Sequence, residues 1–463
     1  MKPLLPLAAA GVMLSGCISL APHYDRPAAP VPATWPQGQA YPAAQGPAQV
    51  APPQWQATFV DPRLQGLIQT ALTQNRTLRA AVADVAAARA QYQVQRASLF
   101  PTVDATGGAS YLHAPTITSP KAVTTHSFSL GLGVTAYELD LFGKQRSLSN
   151  AAFEQYLATD EGRRAAQLSI ITEVANAWLT LAADRTALNV ALATQKSGDE
   201  TLTLTRHRFE NGVSSELEVS QAQTVVEQAR ADVARYTAAA AKDKNALDLA
   251  VGQPVDEAAT SGDINEAMGG LADVPAGLSS DILLLRPDVL QAEHGLKAAN
   301  ANIGAARAAF FPSITLTGQA GQASGSLSGL FNSSSSIWSF TPAITLPIFD
   351  AGRNIANLKV TKAQKGSAVA QYEGAVQAAF RDVADGLADR SGTERQLQAT
   401  QALADAAANA LRLSTARYER GSDPYLTTLD SQRQLYAAQQ ALVAVQLARA
   451  QNTVTLYKAL GGQ

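Results

Sequence analysis

Between Ser127 and Tyr137 the chain alternates apolar and polar side chains. Phe128, Leu130, Leu132, Val134 and Ala136 fall on one face, and Ser127, Ser129, Gly131, Gly133 and Thr135 on the other. The same alternation returns at 337–347, where Trp338, Phe340, Pro342, Ile344 and Leu346 interleave with Ser339, Thr341 and Thr345. Alternation with one apolar face predicts half-buried strands. Shorter partner strands are expected at about 102–112 and 313–321, each started by Phe-Pro (Phe100-Pro101, Phe311-Pro312), with Ser/Thr/Gly/Pro-rich loops at 113–126 and 322–336. Elsewhere the period is helical. From Gly352 to Gly421 there is no proline, and an unbroken helix there would reach about 100 Å at about 1.5 Å per residue. Beyond it, Leu426, Leu429, Arg433, Tyr436, Gln440, Val443, Leu447, Ala450, Val454 and Tyr457 recur at spacings of three and four, the seam pattern of packed helices. Val226, Ala229, Val233, Tyr236 and Ala240 repeat it earlier in the chain.

The chain also repeats itself. Ala97-Ser98-Leu99-Phe100-Pro101 returns as Ala308-Ala309-Phe310-Phe311-Pro312. Leu141-Phe142-Gly143 with Arg146 returns as Ile348-Phe349-Asp350 with Arg353. Arg208-Phe209-Glu210-Asn211-Gly212 returns as Arg417-Tyr418-Glu419-Arg420-Gly421. Three anchors in one order at nearly one offset indicate a tandem duplication. The organisation expected is 1–17, 18–63, 64–250, 251–281 and 282–463: leader, Pro-rich tether, first repeat, connector and second repeat.

The strands have the length that crosses a bilayer at a tilt, and Phe and Trp stand near the ends of their apolar faces, as interfacial girdles do. Four strands cannot close a membrane barrel, since lipid forbids open edges and the smallest barrels have about eight. Copies must therefore pool strands; two would supply 8 and three would supply 12. No run of about 18 apolar residues follows Cys17, so no spanning helix is expected.

The N-terminus fixes the compartment. Lys2, an apolar stretch from Leu4 to Leu14 and then Leu14-Ser15-Gly16-Cys17 describe a secretory leader. Leu-Ser-Gly-Cys resembles the bacterial lipobox, in which Cys17 is lipidated, and Ile18 after it leaves export to the outer membrane open. Residues 21–63 carry Pro22, Pro27, Pro30, Pro32 and Pro36, a composition for an extended tether.

Composition removes other classes. With 36 Lys plus Arg against 38 Asp plus Glu the net charge is −2, which gives no general drive toward nucleic acid. Cys17 is the only cysteine, so no intrachain disulfide or cysteine metal cluster is expected. His23, His113, His126, His207 and His294 contain no zincin spacing. No nucleophile–base pair or phosphate-cradling loop is evident, so neither an enzyme nor a cofactor is expected.

Together these residues resemble the TolC-like outer membrane factors, lipoprotein branch. The resemblance rests on the lipobox, the duplicated Phe-Pro strand starts, Leu285-Arg286-Pro287-Asp288 and, most specifically, Arg417 to Gly421 followed by Tyr425-Leu426-Thr427-Thr428-Leu429-Asp430-Ser431-Gln432-Arg433. It implies an α+β fold: a 12-stranded β-barrel built by a homotrimer, four strands per protomer, continuous with a long α-helical periplasmic barrel. It implies an outer-membrane duct in a tripartite efflux system of the RND type, fed by a periplasmic adaptor protein and an inner-membrane pump. Residues 251–281 would form an equatorial belt with the tether. Asp430 would form an acidic ring at the closed tip, with Leu426 and Arg433 beside it. The turns Gly212-Val213-Ser214 and Gly421-Ser422 would meet the adaptor. Leu217 and Gln221 hold the places of Leu426 and Asp430 in the first repeat, so the acidic ring would come from one repeat. A channel for type I protein secretion and a non-channel periplasmic coiled-coil scaffold remain the alternatives.

Overall fold

A computed structural model of the chain describes residues 19–41, 52–116, 119–273 and 279–462. Cys17, and with it the expected lipidation site, lies outside the described residues. The longer elements, in order, are α1 (Trp55–Thr58), α2 (Pro62–Gln74), α3 (Arg76–Ala97), β1 (Asp104–Thr116), β2 (Ser119–Leu139), α4 (Lys144–Glu210), α5 (Glu216–Val251), α6 (Ile264–Gly269), α7 (Pro287–Ala308), β3 (Ser313–Ser324), β4 (Ser336–Thr345), α8 (Arg353–Glu419) and α9 (Tyr425–Ala459). They form two units. The first takes in Val85–Thr159, Ala292–Tyr372 and the described residues up to Ala28; the second takes in Ala29–Asp84, Asp160–Gln291 and Glu373–Gln463.

The first unit holds one antiparallel sheet in the order β1-β2-β3-β4. Partners across the ladder share a face. Leu132 stands opposite both Ala105 and Ala320, and Ala320 opposite Trp338. Leu130, Leu132, Trp338, Phe340 and Ile344 therefore line one face, and all are exposed in the single chain. The other face carries Thr106, Ser129, Thr315, Gln319, Thr341 and Ser339, again in register. A groove of about 570 Å³ runs along the apolar face, between Leu132 and Val134 on one side and Trp338 and Phe340 on the other. Gly318 and Ala320 form its floor, being too small to fill it.

Three expectations about this sheet are corrected. The alternation does not continue unbroken to Tyr137. The register slips between Val134 and Tyr137, and Ala136 sits at φ 51° with its N–H bonded to Thr317 Oγ1 at 3.2 Å. This bulge removes Ala136 from the apolar face and puts Tyr137 opposite Leu316 there. The described parts of the stretch 113–126, residues 113–116 and 119–126, are strand rather than loop. His113 stands opposite Thr124 and Ala114 opposite Val123 across the hairpin, and β-branched side chains such as Thr124 and Val123 suit a pleated surface. In the second repeat the loop is shorter than expected, beginning after Ser324 and holding two short 3₁₀ turns before Ser336.

The N-terminal segment is bound to the first unit. Leu20 and Pro22 carbonyls accept from Arg307 Nη1 (3.0 Å) and Asn300 Nδ2 (2.8 Å). The Glu293 carboxylate, whose side chain is 3% exposed, takes Arg26 Nε at 3.0 Å and Nη2 at 2.7 Å, Tyr24 Oη at 3.1 Å and Lys297 Nζ at 3.2 Å. A buried carboxylate survives only when so paired.

In the second unit the helices start and stop where local chemistry directs. Pro62 stands at the first position of α2 with Asp61 as N-cap, its Oδ1 accepting from Arg63 and Leu64 N–H. Helix thus begins inside the stretch expected as tether, as does α1. Leu64, Ile68, Trp178, Leu179, Leu247 and Tyr457 form a fully buried core. Phe59 meets Tyr457 edge-on at 5.2 Å and bridges Leu271. Val60 N–H reaches Gly270 O at 2.8 Å and Ala272 N–H reaches Thr58 O at 2.8 Å. The end of the tether and the connector between the repeats are therefore one packed structure. Among the described residues no helix is long and apolar enough to cross a membrane.

Candidate channel gate

Two helical turns lie at the ends of α4 and α8, and they are built alike. Gly212 (φ 72°) and Gly421 (φ 73°) take the left-handed conformation that a side chain would strain. In each, the next N–H returns to the helix: Val213 to Arg208 O at 2.8 Å, Ser422 to Arg417 O at 2.9 Å. These bonds satisfy the carbonyls left open at a helix end. The outgoing helices start differently. Ser215 caps α5 through Glu218 N–H at 3.3 Å, and the Ser214 hydroxyl bonds the Glu218 carboxylate. α9 has Pro424 in that place and no side-chain cap. Instead Arg417 holds Asp423 with two bonds of 2.7 and 2.8 Å. That pairing lowers the Asp423 pKa and raises that of Arg417. Val213 is 66% exposed, and Gly212, Ser422 and Gly421 are exposed too.

The start of α9 sorts its residues by face. Tyr425, Thr428, Leu429 and Gln432 are buried, and Tyr425 and Leu429 join Leu202, Ala222, Val225 and Val226 in one cluster. The packing seam at this end is therefore Tyr425–Leu429–Gln432, displaced from the expected Leu426–Leu429–Arg433. Leu426 and Arg433 lie one residue past buried positions and turn outward. Leu426, Asp430 and Arg433, spaced four and three, form an exposed stripe on one face of the helix. Leu426 is 55% exposed and Leu217, its counterpart on α5, is 65% exposed. Asp430 Oδ2 accepts from Gln434 Nε2 at 2.7 Å. Arg433 Nη2 donates to Thr224 Oγ1 on α5 at 3.0 Å, beside a 220 Å³ cavity shared with Val225, Gln228 and Tyr436.

Further contacts at this end join residues that no sequence pattern brings together. The Arg208 guanidinium lies 4.9 Å above the Tyr418 ring, a cation–π contact. Tyr418 in turn meets Tyr425 at 5.4 Å, and burial pushes the Tyr425 hydroxyl up to about 12. Higher on α5, buried Asp232 takes Tyr436 Oη at 2.8 Å, Gln228 Nε2 at 3.1 Å and Arg235 Nη2 at 2.9 Å. Thr224 and Asp232 thus tie α5 to α9 at two levels. Neither residue type announces such a role, because both partners lie about 200 residues away in the chain. Among the described residues no cluster of metal-ligating side chains occurs.

The chain matches the family described as outer membrane efflux protein over residues 67–253 and 278–462, once for each repeat. It is 48% identical to the probable efflux pump outer membrane protein TtgC of Pseudomonas putida, over all of this chain and 96% of that protein. Among solved structures, a membrane protein from Pseudomonas aeruginosa superposes with a TM-score of 0.88 at 40% identity, covering 96% of this chain and all of the other. The open state of the Neisseria gonorrhoeae MtrE outer membrane channel gives 0.86 at 38% identity over 96% and 98%. A match to both halves, to full-length relatives and to channel structures leads to one conclusion: the chain belongs to the outer membrane efflux protein family.

Proposed function

We propose that this chain is the passive outer-membrane duct of a tripartite efflux system, working as a homotrimer and performing no catalysis of its own. The observation that carries this reading is the sheet: four strands with an apolar face exposed and an outer edge on β1 and on β4. Such a sheet is stable in lipid only when copies pool strands and close the edges. Three protomers supply a 12-stranded barrel whose Ser/Thr/Gln face lines the lumen.

Leu426, Asp430 and Arg433 form the gate at the periplasmic end in this reading. Arg433 holds the hairpin ends together, Asp430 supplies a ring of negative charge, and Leu426 an apolar constriction. The two glycine turns, Gly212-Val213-Ser214 and Gly421-Ser422, receive the periplasmic adaptor, which joins the duct to an inner-membrane pump. Acyl chains on Cys17 anchor the protein in the outer membrane, adding about 0.8 kcal/mol per buried CH₂.

Native mass spectrometry of the detergent-extracted protein is expected to give a trimer, and planar-bilayer recording a conducting pore. A stable, non-conducting monomer would overturn the assignment. Mass spectrometry of the mature N-terminus is expected to show diacylglycerol on Cys17, and an unmodified chain would remove the anchor alone.

A further inference from the structure

The second repeat keeps an arginine of the first and lacks its acid. In the first repeat Arg146, near the start of α4, is held by Asp140: Nε donates to Oδ2 at 3.0 Å and Nη2 to the backbone O at 2.9 Å. The same carboxylate caps α4, accepting from the N–H groups of Gln145 and Arg146. At the offset that carries Leu141-Phe142 onto Ile348-Phe349, Arg146 returns as Arg353 but Asp140 returns as Pro347. Capping of α8 passes to Asp350, whose oxygens accept from Gly352 N–H at 3.0 Å and Asn354 N–H at 2.9 Å. Arg353 acts on that carboxylate through its charge. The residue is exposed, and among the described residues its side chain makes no hydrogen bond or ion pair.

This guanidinium lines a crevice of about 240 Å³ at the base of the sheet. The crevice lies on the polar side of the ladder. Ser313 stands opposite Thr345 and Glu138 opposite Thr315, in register with the face that carries Gln319 and Thr341, and Ser313, Thr345 and Glu138 all line the crevice. Its acids are already matched. Glu138 holds Lys144 with two bonds of 3.1 Å, and Asp140 holds Arg146. Phe142 and Phe311 form an apolar wall, stacked with ring centroids 4.7 Å apart, and Phe311 is 42% exposed. An open guanidinium beside an open aromatic surface, in a small crevice of otherwise satisfied polar groups, is the chemistry of a site for an anion with an apolar body.

We infer that this crevice is an anion subsite on the conduction path. It takes the carboxylate, sulfonate or phosphate group of an organic solute on Arg353, with the solute's apolar body against Phe142 and Phe311. The inference rests on the duct reading, in which the Ser/Thr/Gln face lines the lumen, and adds to it a place where a solute pauses. A single guanidinium in partly open surroundings binds an anion weakly. Weak binding suits a duct, because a solute must leave each site as readily as it enters. The first repeat supplies the contrast. There Asp140 neutralises Arg146, so the same turn of chain offers no free cation. Pro347 in place of that acid is what leaves Arg353 open to a solute.

The test is planar-bilayer recording of the full-length protein in potassium chloride with naphthalenesulfonate added, each current taken relative to the same channel without the probe. The parent current is expected to fall with a saturable dependence on the probe. Methanesulfonate carries the same anionic group without the apolar body, and should block only at a severalfold higher concentration. Equal block by the two would mean that the aromatic wall takes no part and that the solute class is wrong. Arg353→Gln is expected to raise the half-blocking concentration of naphthalenesulfonate roughly two- to fivefold, the worth of one partly open charge contact. Pro347→Asp restores the carboxylate of the first repeat and should weaken the block to a similar extent, reading the same site should Arg353→Gln impair insertion. A parent that conducts and is not blocked, or an Arg353→Gln channel blocked as the parent is, overturns the subsite and leaves the duct standing. A parent that carries no current removes the duct reading, and the subsite with it.

Discussion

Arg433 on α9 donates from Nη2 to the Thr224 hydroxyl on α5 at 3.0 Å, joining two helices whose partners are 209 residues apart. The bond lies at the exposed end of the second unit, one helical turn from Asp430. A hydrogen bond from a charged donor in partly open surroundings contributes about 0.5–1 kcal/mol. Arg433→Ala and Thr224→Ala are each expected to raise the frequency of spontaneous channel opening roughly two- to fivefold, since that energy is worth such a ratio. The double variant should open no more often than either single one, because both remove the same bond. Single-channel recording of all three measures this, and strictly additive effects would show that the bond does not hold the closed state.

A second prediction concerns the clasp on the N-terminal segment. Burial works to raise the Glu293 pKa, but the hydrogen bonds and charges of Arg26 and Lys297 outweigh it, and the net displacement is downward. A carboxylate depressed in the folded state contributes stability above its unfolded pKa, about 4.3, and loses it as pH falls through the folded value. Glu293→Gln keeps the shape and removes the charge, and is expected to cost about 2 kcal/mol locally at neutral pH. Hydrogen exchange of residues 20–27 should speed up in the variant at pH 7 and converge with the parent in strong acid. Equal exchange at pH 7 would mean the segment is held by its other contacts alone.

Much of this architecture can be read along the chain because its signals are local. Period two at Phe128–Val134, the absence of proline from Gly352 to Gly421, and the two Phe-Pro starts each depend on neighbours in sequence. What could not be read depends on distant partners. The bulge at Ala136 is stabilised by the Thr317 hydroxyl 181 residues away. At the start of α9 a three-four spacing fits Leu426–Leu429–Arg433 as well as Tyr425–Leu429–Gln432, so the spacing alone does not select the observed seam. Only the packing of Tyr425 against Leu202 and Val226 decides between them. That choice has functional weight, since it turns Leu426 and Arg433 out of the core and onto the stripe with Asp430.

A third prediction uses the carboxyl pair on α4 and α5. Burial, then the hydrogen bond and charge of Asp184, push Asp243 up to about 6. A carboxyl raised in the folded state contributes fully below its unfolded pKa, about 3.9, and that contribution is lost as pH rises through about 6. At pH 8 the parent therefore carries two repelling carboxylates that it does not carry at pH 4. Asp243→Asn is expected to stabilise the protein at pH 8 by on the order of 1 kcal/mol, the pair being partly open to solvent. At pH 4 it should have little effect. Thermal unfolding at the two pH values checks the sign, and a variant less stable than the parent at pH 8 would contradict it.

The gate gives the last prediction. Asp430 is exposed, and among the described residues its carboxylate accepts from Gln434 on its own helix, so its charge is available to the space in front of it. In a trimer three such carboxylates surround one axis. A cation about 8 Å from each gains about 0.5 kcal/mol per charge in water, about 1.5 kcal/mol in all. At physiological salt the Debye length is also about 8 Å, which reduces this to roughly a third. An anion at the same place is repelled by as much, so Asp430→Ala is expected to lower the cation-over-anion permeability ratio roughly fivefold at that salt, and further at low salt. Gln221, the repeat mate of Asp430, carries no charge, and Gln221→Ala should leave the ratio within experimental error of the parent. Leu426→Ala acts differently. It removes bulk from an exposed side chain without touching charge, so conductance should rise while selectivity holds. Planar-bilayer recording of the three variants separates the two roles. Should Asp430→Ala select as the parent does at both low and physiological salt, the charge does not face the conduction path, and Asp430 is a solvated helix residue bonded to Gln434.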